Sequence, residues 1–261
     1  MTADQAPYQV RFDWGMAGVR RVDPDVDVLI VVDVLSFTTA VEVALTHGLE
    51  VMPFGSGEVA DDAAAAAYAA THTAVLVGDP ASGLTGSPTA IAEYSEAGAA
   101  GASPVSPSPT RLLIPESSGS DLCFGLVEHP ATVVAASLRN RTAVAEWVLA
   151  RQAEKGDRFR VAVIAAGDER ADGIRFAAED LLGAGAVIDA LAVVGIDYCS
   201  PEAAVATAAF GALRRATGHL ISASVSGQEV LAMGLRSDID LASEIDVSRT
   251  VPVLRGNAFR P

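Results

Sequence analysis

The sequence alternates apolar runs with stretches of helical composition, and this alternation constrains the fold more than any other feature. Runs such as 26–32 and 160–165 are apolar at nearly every position, as strands buried on both faces are. Parallel strands joined by helices give this order, because the chain must cross back over the sheet between two such strands. The sequence therefore predicts an α/β fold of three layers (α/β/α), with helices on both faces of a mixed, largely parallel sheet.

The predicted elements follow from these runs and from the turn residues between them. The predicted strands are 26–32, 50–54, 73–77, 111–114, 131–136 and 160–165. The predicted helices are 36–46, 58–70, 141–154, 173–182 and 201–217. Ser200 before Pro201, and Ser226 three positions before Glu229, fit helix N-caps. We expect a single domain over 1–261, since a chain of this length can bury one large core.

The stretch 97–110 interrupts this pattern, because it holds three prolines and three serines within seven residues. Proline neither continues a helix nor pairs within a central strand. We predict a surface loop that contributes no catalytic group, since the stretch lacks acids, bases and metal ligands. A lid over a site is the alternative interpretation of the same composition.

The charge balance argues against several classes of partner. The chain carries 33 acidic and 18 basic residues, for a net charge of −15. Nucleic acids and membrane surfaces are also negative, and the sequence has no basic patch, so neither is expected as a partner. No apolar window reaches the roughly 18 residues of a membrane helix, and no secretory signal is visible. We therefore expect a cytoplasmic protein, and α/β enzymes of this kind are often homodimers.

Motifs of several known enzyme classes are missing from the sequence. Lys155 is the only lysine, which excludes the phosphate-binding P-loop. The glycines of 183–185 follow no predicted strand, so they do not form a dinucleotide-binding fingerprint. A haloacid-dehalogenase motif would have a second aspartate where this chain has Leu35, and there is no Gly-x-Ser-x-Gly elbow. Cys123 and Cys199 are too few for a zinc cluster or a disulfide framework.

Asp33 ends an apolar predicted strand and directly precedes a predicted helix. Open α/β sheets bind ligands at the carboxyl ends of their strands, and helix N-termini bind phosphate through free N–H groups. A carboxylate repels phosphate unless a cation lies between them, so Asp33 indicates a magnesium ligand or an acid–base group. Ser36, Thr38 and Thr39 are then candidate phosphate ligands. An aspartate that only caps the helix would give the same pattern.

Polar residues follow three further predicted strands. The set comprises Ser118, Gly119 and Ser120 after the first, Asn140 after the second, and Asp168, Glu169 and Arg170 after the third. The small residues around Gly119 fit a backbone concavity for an anion, and equally a tight turn. Arg170 offers a cation to phosphate, and one helix later 179–180 supplies an acid pair. We expect the segments 36–39 and 117–120 to face one cleft.

Long segments of the chain resemble the 2-phosphosulfolactate phosphatase family. These segments are 31–45 (VVDVLSFTTAVEVAL), 133–148 (VVAASLRNRTAVAEWV), 161–191 and 224–254, in the family's order and over most of the chain. The family consists of magnesium-dependent phosphatases named for a step of coenzyme M biosynthesis. The resemblance implies an α/β phosphoric monoester hydrolase that uses Mg²⁺ and acts on a small anionic phosphate ester similar to 2-phosphosulfolactate.

The family's motif positions are only partly retained. Those retained are Asp33, Thr38, Thr39, Gly119, Asn140, Gly167, Glu179 and Asp180. Ser36 stands where the family has an arginine, and 77–80 replaces a turn that carries an acid and a base, so part of the phosphate-binding basic set is lost. Two functions therefore stay open: the phosphatase, or a member that has lost catalysis and binds an anionic metabolite or a protein partner.

For an active enzyme, the sequence and the resemblance together predict specific roles. Asp33 is the expected magnesium ligand, with Glu179 or Asp180 as its partner. Asp168 or Glu169 is the reserve ligand, and a carboxylate that does not bind the metal would take the proton of an attacking water. A covalent aspartyl-phosphate at Asp33 is the alternative route.

Overall fold

The computed structural model describes residues 5–22, 25–55, 62–101, 110–115, 117–170 and 173–261, without the side chains of 96–101, 169 and 170. The strands are β1 (Val10–Trp14), β2 (Val28–Val32), β3 (Glu50–Pro53), β4 (Ala74–Leu76), β5 (Arg111–Ile114), β6 (Thr132–Ala136), β7 (Val161–Ala165), β8 (Asp168–Arg170), β9 (Gly173–Arg175), β10 (Val253–Arg255) and β11 (Ala258–Arg260). The helices are α1 (Gly15–Val22), α2 (Phe37–Thr46), α3 (Asp62–His72), α4 (Pro88–Gly101), α5 (Ser118–Gly125), α6 (Arg141–Lys155), α7 (Ala178–Val193), α8 (Pro201–Leu213), α9 (Thr217–Ala223), α10 (Val225–Ala232) and α11 (Arg236–Ala242).

Nine of these strands form one mixed sheet in the order β1-β7-β2-β6-β10-β11-β3-β5-β4. Neighbours are parallel from β1 to β6, and again from β3 to β4. The antiparallel hairpin β10–β11 lies between these two blocks, with Val253 opposite Val134 and Phe259 opposite Val51. The predicted α/β class and the mixed, largely parallel sheet are therefore confirmed.

Helices cover both faces of the sheet because its central strands are apolar on both sides. In β2, Ile30 points into a core shared with α6, α7 and α8, whereas Leu29 points into a second core shared with α2 and α5. Both residues are completely buried, as are the other residues of β2. Strand β2 therefore lies in the middle layer, and its carboxyl end leads directly toward Asp33.

Several predicted boundaries are wrong. The predicted helix 173–182 begins too early, because Gly173–Arg175 pairs with Asp168–Arg170 in a hairpin and the helix runs instead over Ala178–Val193. The predicted helix 201–217 is also interrupted, since α8 ends at Leu213 and a 3₁₀ turn follows. Ser226 is not a helix cap, because Ser224 accepts the N–H of Gly227 instead.

The predicted start of the proline-rich loop 97–110 is wrong. Helix α4 extends to Gly101, so the first five residues of that stretch are helical. Residues 102–109 lie outside the described part of the chain. Among the described helices, none is long and apolar enough to cross a membrane.

Candidate functional site

Asp33 follows the end of β2, and the N-termini of two helices hold its carboxylate. The N–H of Phe37, the first residue of α2, donates to Oδ1 at 3.3 Å. The N–H of Gly119, the second residue of α5, donates to Oδ2 at 2.9 Å. A Cβ on Gly119 would lie 2.5 Å from that oxygen, so only glycine permits this approach. The segments 36–39 and 117–120 thus lie together, and their N–H groups converge on a buried carboxylate of the protein itself.

The hydroxyls of the predicted phosphate ligands in α2 bind the backbone. Thr38 Oγ1 accepts the N–H of Asp33 at 3.0 Å and donates to the carbonyl of Asp33 at 2.7 Å. Thr39 Oγ1 donates to the carbonyl of Val34 at 2.9 Å, and both threonines are fully buried. Ser36 is half-buried at the N-cap of α2, and its side chain makes no capping hydrogen bond. The threonines therefore stabilise the β2–α2 turn.

The serines at the start of α5 differ in their surroundings. Ser117 caps the helix by accepting the N–H of Ser120 at 3.0 Å. Ser120 Oγ accepts the N–H of Phe54 at 2.9 Å and is fully buried, so it ties the end of β3 to the start of α5. Ser118 is half-buried at the first position of the helix. Of the two serines predicted to bind phosphate here, Ser118 is therefore partly exposed to solvent and Ser120 is not.

Helix α7 brings two more acids to the same place. Asp180 Oδ1 accepts the N–H of Val34 at 2.8 Å, and Oδ2 accepts the N–H of Gly167 at 3.0 Å. This carboxylate thereby joins the chain that leaves β2 to the chain that leaves β7. Glu179 is also buried, with 3% of its surface exposed, and it forms no hydrogen bond or ion pair with another described residue.

The pKa values of Asp33 and Asp180 are both raised. The pKa of Asp33 is raised to about 6, because burial raises it most, the two N–H donors oppose the rise, and the charges of Glu179 and Asp168 add to it. Burial also raises the pKa of Asp180 well above its ordinary range, together with the charges of Asp33 and Glu179. The site therefore concentrates negative charge in a setting that favours protons or a cation.

Asp33, Glu179 and Asp180 together form the acid cluster. Asp168 lies at the edge of this cluster, in the hairpin β8–β9. Its Oδ2 accepts a hydrogen bond from Arg175 Nε at 2.7 Å, and Arg175 Nη2 also donates to Ser226 Oγ at 3.3 Å. Arg175 was not predicted as a site residue, because the expected helix over 173–182 excluded its cross-strand pairing with Asp168. Glu169 and Arg170 belong to β8, and their side chains lie outside the description.

Asn140 has a role in the backbone of the β6–α6 turn. Its Oδ1 accepts the N–H of Ser137 at 2.8 Å, and its Nδ2 donates to the carbonyl of Thr250 at 3.0 Å. The side chain is fully buried. These bonds join the end of β6 to the segment that leads into β10, and no contact between Asn140 and the acid cluster is seen among the described residues.

The acid cluster offers as many carboxylates as a magnesium ion needs from a protein. No group of three or more His, Cys, Asp or Glu side chains within the described ranges is arranged to hold a metal ion. Magnesium needs only one or two protein carboxylates, because it keeps several of its waters. Each Asp33 oxygen accepts one N–H bond and retains a lone pair, and Glu179 is bound to no described residue. The donor set therefore fits a cation held by two carboxylates and water.

An open α/β sheet with buried acids at its strand ends is typical of one class of protein. This class is the α/β enzymes that bind a small ligand at the carboxyl ends of the strands. The model of the family described as 2-phosphosulpholactate phosphatase matches residues 109–257, more than half of the chain. The chain belongs to this family, as its motifs predicted. It is also 28% identical over 239 residues to a protein of Deinococcus radiodurans named "Probable 2-phosphosulfolactate phosphatase", covering 87% of this chain and 88% of that protein.

Proposed function

We propose that this protein is a Mg²⁺-dependent phosphatase that hydrolyses a small anionic phosphate ester of the 2-phosphosulfolactate type. Family membership supports the phosphate ester as substrate. The observation that carries the site is the convergence of the buried carboxylates Asp33, Glu179 and Asp180 beside the N-termini of α2 and α5. Buried acids in this number need a cation or shared protons, because each raises the cost of ionising the next.

Asp33 and Glu179 would hold the magnesium ion, and Asp180 would position them. Asp180 uses both oxygens to fix the backbone beyond β2 and β7, whereas Glu179 has no described partner. When bound, magnesium supplies positive charge that polarises phosphoryl oxygens and lowers the pKa of a bound water. The sequence predicted either Glu179 or Asp180 as the second magnesium ligand. Because Asp180 already binds the backbone through both oxygens, we propose Glu179 for this role.

The substrate phosphate would bind beside the half-buried residues Ser36 and Ser118. Ser36 and Ser118 each lie at the start of a helix, whose dipole favours an anion. Arg175 adds a positive charge close to the cluster through its ion pair with Asp168. We propose Arg175 as a substitute for part of the basic set that is lost with Ser36.

Asp168 would accept the proton of the attacking water. Its carboxylate is partly exposed and paired with Arg175, and its charge reaches Asp33. A general base must lie within reach of the proton it takes and must not itself be used as a metal ligand. A covalent aspartyl-phosphate at Asp33 is the second route, and trapping a phosphorylated protein in acid would favour it over attack by water.

The test is a phosphate-release screen over small phosphorylated carboxylic and sulfonic acids, with Mg²⁺ and with EDTA. We expect release of phosphate from at least one such acid with Mg²⁺, and at least about a hundredfold less with EDTA, roughly 2.7 kcal/mol of transition-state stabilisation. Binding of these acids without release under either condition would instead favour the non-catalytic family member. Ser36 in the place of an arginine is the observation behind that second candidate.

A further inference from the structure

The hairpin β8–β9 lies outside the nine-stranded sheet and carries two residues of the candidate site. Its strands have three residues each, and within the described part of the chain they pair only with each other. A two-stranded hairpin is at best marginally stable on its own in water. Asp168 and Arg175 lie opposite each other in this hairpin, so the position of their ion pair depends on what holds the hairpin in place.

Ile174 holds the hairpin from the face opposite to that ion pair. It precedes Arg175 in β9, and successive side chains of a strand point to opposite faces. Its side chain enters a slot between Gly15 and Gly167. A Cβ built on Gly15 would collide with Cδ1 of Ile174, and a Cβ built on Gly167 would lie 2.5 Å from its Cγ2. Both walls of the slot must therefore be glycine for Ile174 to enter.

The slot matches the branched shape of isoleucine. The two branches separate at Cβ, and each ends against a different glycine. A β-branched side chain has few rotamers, so filling both ends of the slot fixes the direction in which β9 runs. The backbone is also close, because the carbonyl oxygen of Arg175 lies 3.2 Å from the Cβ position of Gly167. Ile174 therefore holds β9 against the chain that leaves β7.

The walls of the slot are themselves fixed to the sheet and to the acid cluster. Gly167 donates its N–H to Asp180 Oδ2 at 3.0 Å. Gly15 directly follows β1, which pairs with β7 along its whole length. Both glycines are buried. The position of Ile174 therefore sets the position of the hairpin relative to the acid cluster.

We propose that Ile174 is a positioning residue of the candidate site, which holds the hairpin so that Asp168 and Arg175 border the acid cluster. The role rests on the proposed function, in which Asp168 takes the proton of the attacking water and Arg175 meets the anionic substrate. A general base works only within hydrogen-bond reach of its proton, and misplacing a catalytic group by about 1 Å can lower the rate about a hundredfold. Ile174 itself would contact neither substrate nor metal, since it points to the other face of the hairpin.

Urea unfolding tests the packing of Ile174 without any substrate. Gly15→Ala should lower the urea midpoint of the original protein, because the new Cβ meets Cδ1 of Ile174 and because φ of Gly15 is +55°. The loss should be smaller when Ile174→Ala is already present, since the space is then open while the backbone strain is the same. Equal losses in both backgrounds would show that Ile174 does not occupy the slot, and would overturn the proposal.

Steady-state kinetics tests the role in catalysis, with the ester that the protein hydrolyses fastest in the phosphate-release screen. Ile174→Ala should lower kcat at least about tenfold, because the hairpin loses its anchor and Asp168 its position. Ile174→Val keeps the branch that faces Gly167, so its kcat should stay within about threefold of the original. The matched control is Leu76→Ala, which removes as many carbon atoms from a half-buried side chain of β4, at the far end of the sheet. It should leave kcat unchanged.

A second kinetic comparison separates positioning from a general loss of structure. In a variant with Asp168→Asn and Arg175→Gln, adding Ile174→Ala should change the residual kcat by less than about twofold, because the groups that Ile174 positions are already gone. Unchanged kcat in Ile174→Ala alone, or a further fall of about tenfold in that background, would overturn the proposal. A protein that hydrolyses no ester would contradict the proposed function instead, and the urea comparison would still test the slot.

Discussion

At the scale of single residues, the sequence identified the acids of the candidate site better than their contacts. Asp33 was predicted from its place at a strand end and Asp180 from the acid pair 179–180 and the family resemblance, and both lie buried in one cluster. Thr38 and Thr39 were predicted to bind phosphate, yet their hydroxyls bind the backbone of the β2–α2 turn. A residue pattern does not determine whether a hydroxyl beside a helix start turns toward a ligand or toward a nearby carbonyl, because both bonds are local and comparable in strength.

The raised pKa of Asp33 makes the stability of the metal-free protein depend on pH. Its folded-state pKa of about 6 lies above its ordinary value of 3.8, so the folded state binds more protons than the unfolded state between these values. The free energy of unfolding should therefore fall as pH rises from about 4 to 6, by roughly 3 kcal/mol from this group. Urea unfolding in EDTA across this range measures the slope. Asp33→Asn should remove the contribution of this group to the change in unfolding free energy with pH. An unchanged slope in the variant would contradict the raised pKa of Asp33.

Arg175 should affect substrate binding more than turnover. Arg175→Gln removes the positive charge beside Asp168, so an anionic ester would meet an unneutralised carboxylate. We expect KM for a phosphorylated acid to rise about tenfold, the scale of one charge-assisted hydrogen bond. Steady-state kinetics measures this effect. Arg236→Gln is the control, since that arginine forms an exposed ion pair with Asp240, and equal kinetics in both variants would contradict the role.

At the scale of elements, local patterns located the strands that lie buried in the sheet and missed those defined by distant pairing. The run that became β2 was predicted because its apolar residues are consecutive. The three-residue strands β10 and β11 were missed, because Val253 pairs with Val134 and Phe259 with Val51, far away in the sequence. The start of α7 was missed for a similar reason, since the hairpin before it has too few residues to show alternation.

The packing of α7 against α8 should depend on Gly185. A Cβ at this position would lie 2.1 Å from the carbonyl oxygen of Ala206, which belongs to the backbone of α8 and cannot easily move. Gly185→Ala should therefore lower the free energy of unfolding by about 1–3 kcal/mol, despite the better helix propensity of alanine. Thermal or urea unfolding gives the value.

The matched control is Gly211→Ala on the opposite face of α8, where a Cβ meets nothing within the chain. This variant should be as stable as the original or slightly more stable. If Gly185→Ala were equally harmless, the close approach of the two helices would be wrong.

At the scale of the whole molecule, the sheet assembles the candidate site from segments that are distant in sequence. Gly119 is 86 residues from the aspartate it binds, and Asp180 is 146 residues from the N–H of Val34. The α/β class was predictable, because it depends on the order of local patterns. The strand order was not predictable, because the C-terminal hairpin enters between β6 and β3. The single domain over 1–261 and the roles of Glu169 and Arg170 stay predictions.

Magnesium binding at Asp33 is the central claim, and isothermal titration calorimetry of the metal-free protein with MgCl₂ tests it most directly. We predict one site per chain in the original protein, and an affinity at least about tenfold weaker in Asp33→Asn, which keeps the size of the side chain and removes its charge. Asp197→Asn, at an exposed position, is the control and should bind as the original does. Equal magnesium affinity in the original protein and in Asp33→Asn would contradict the account.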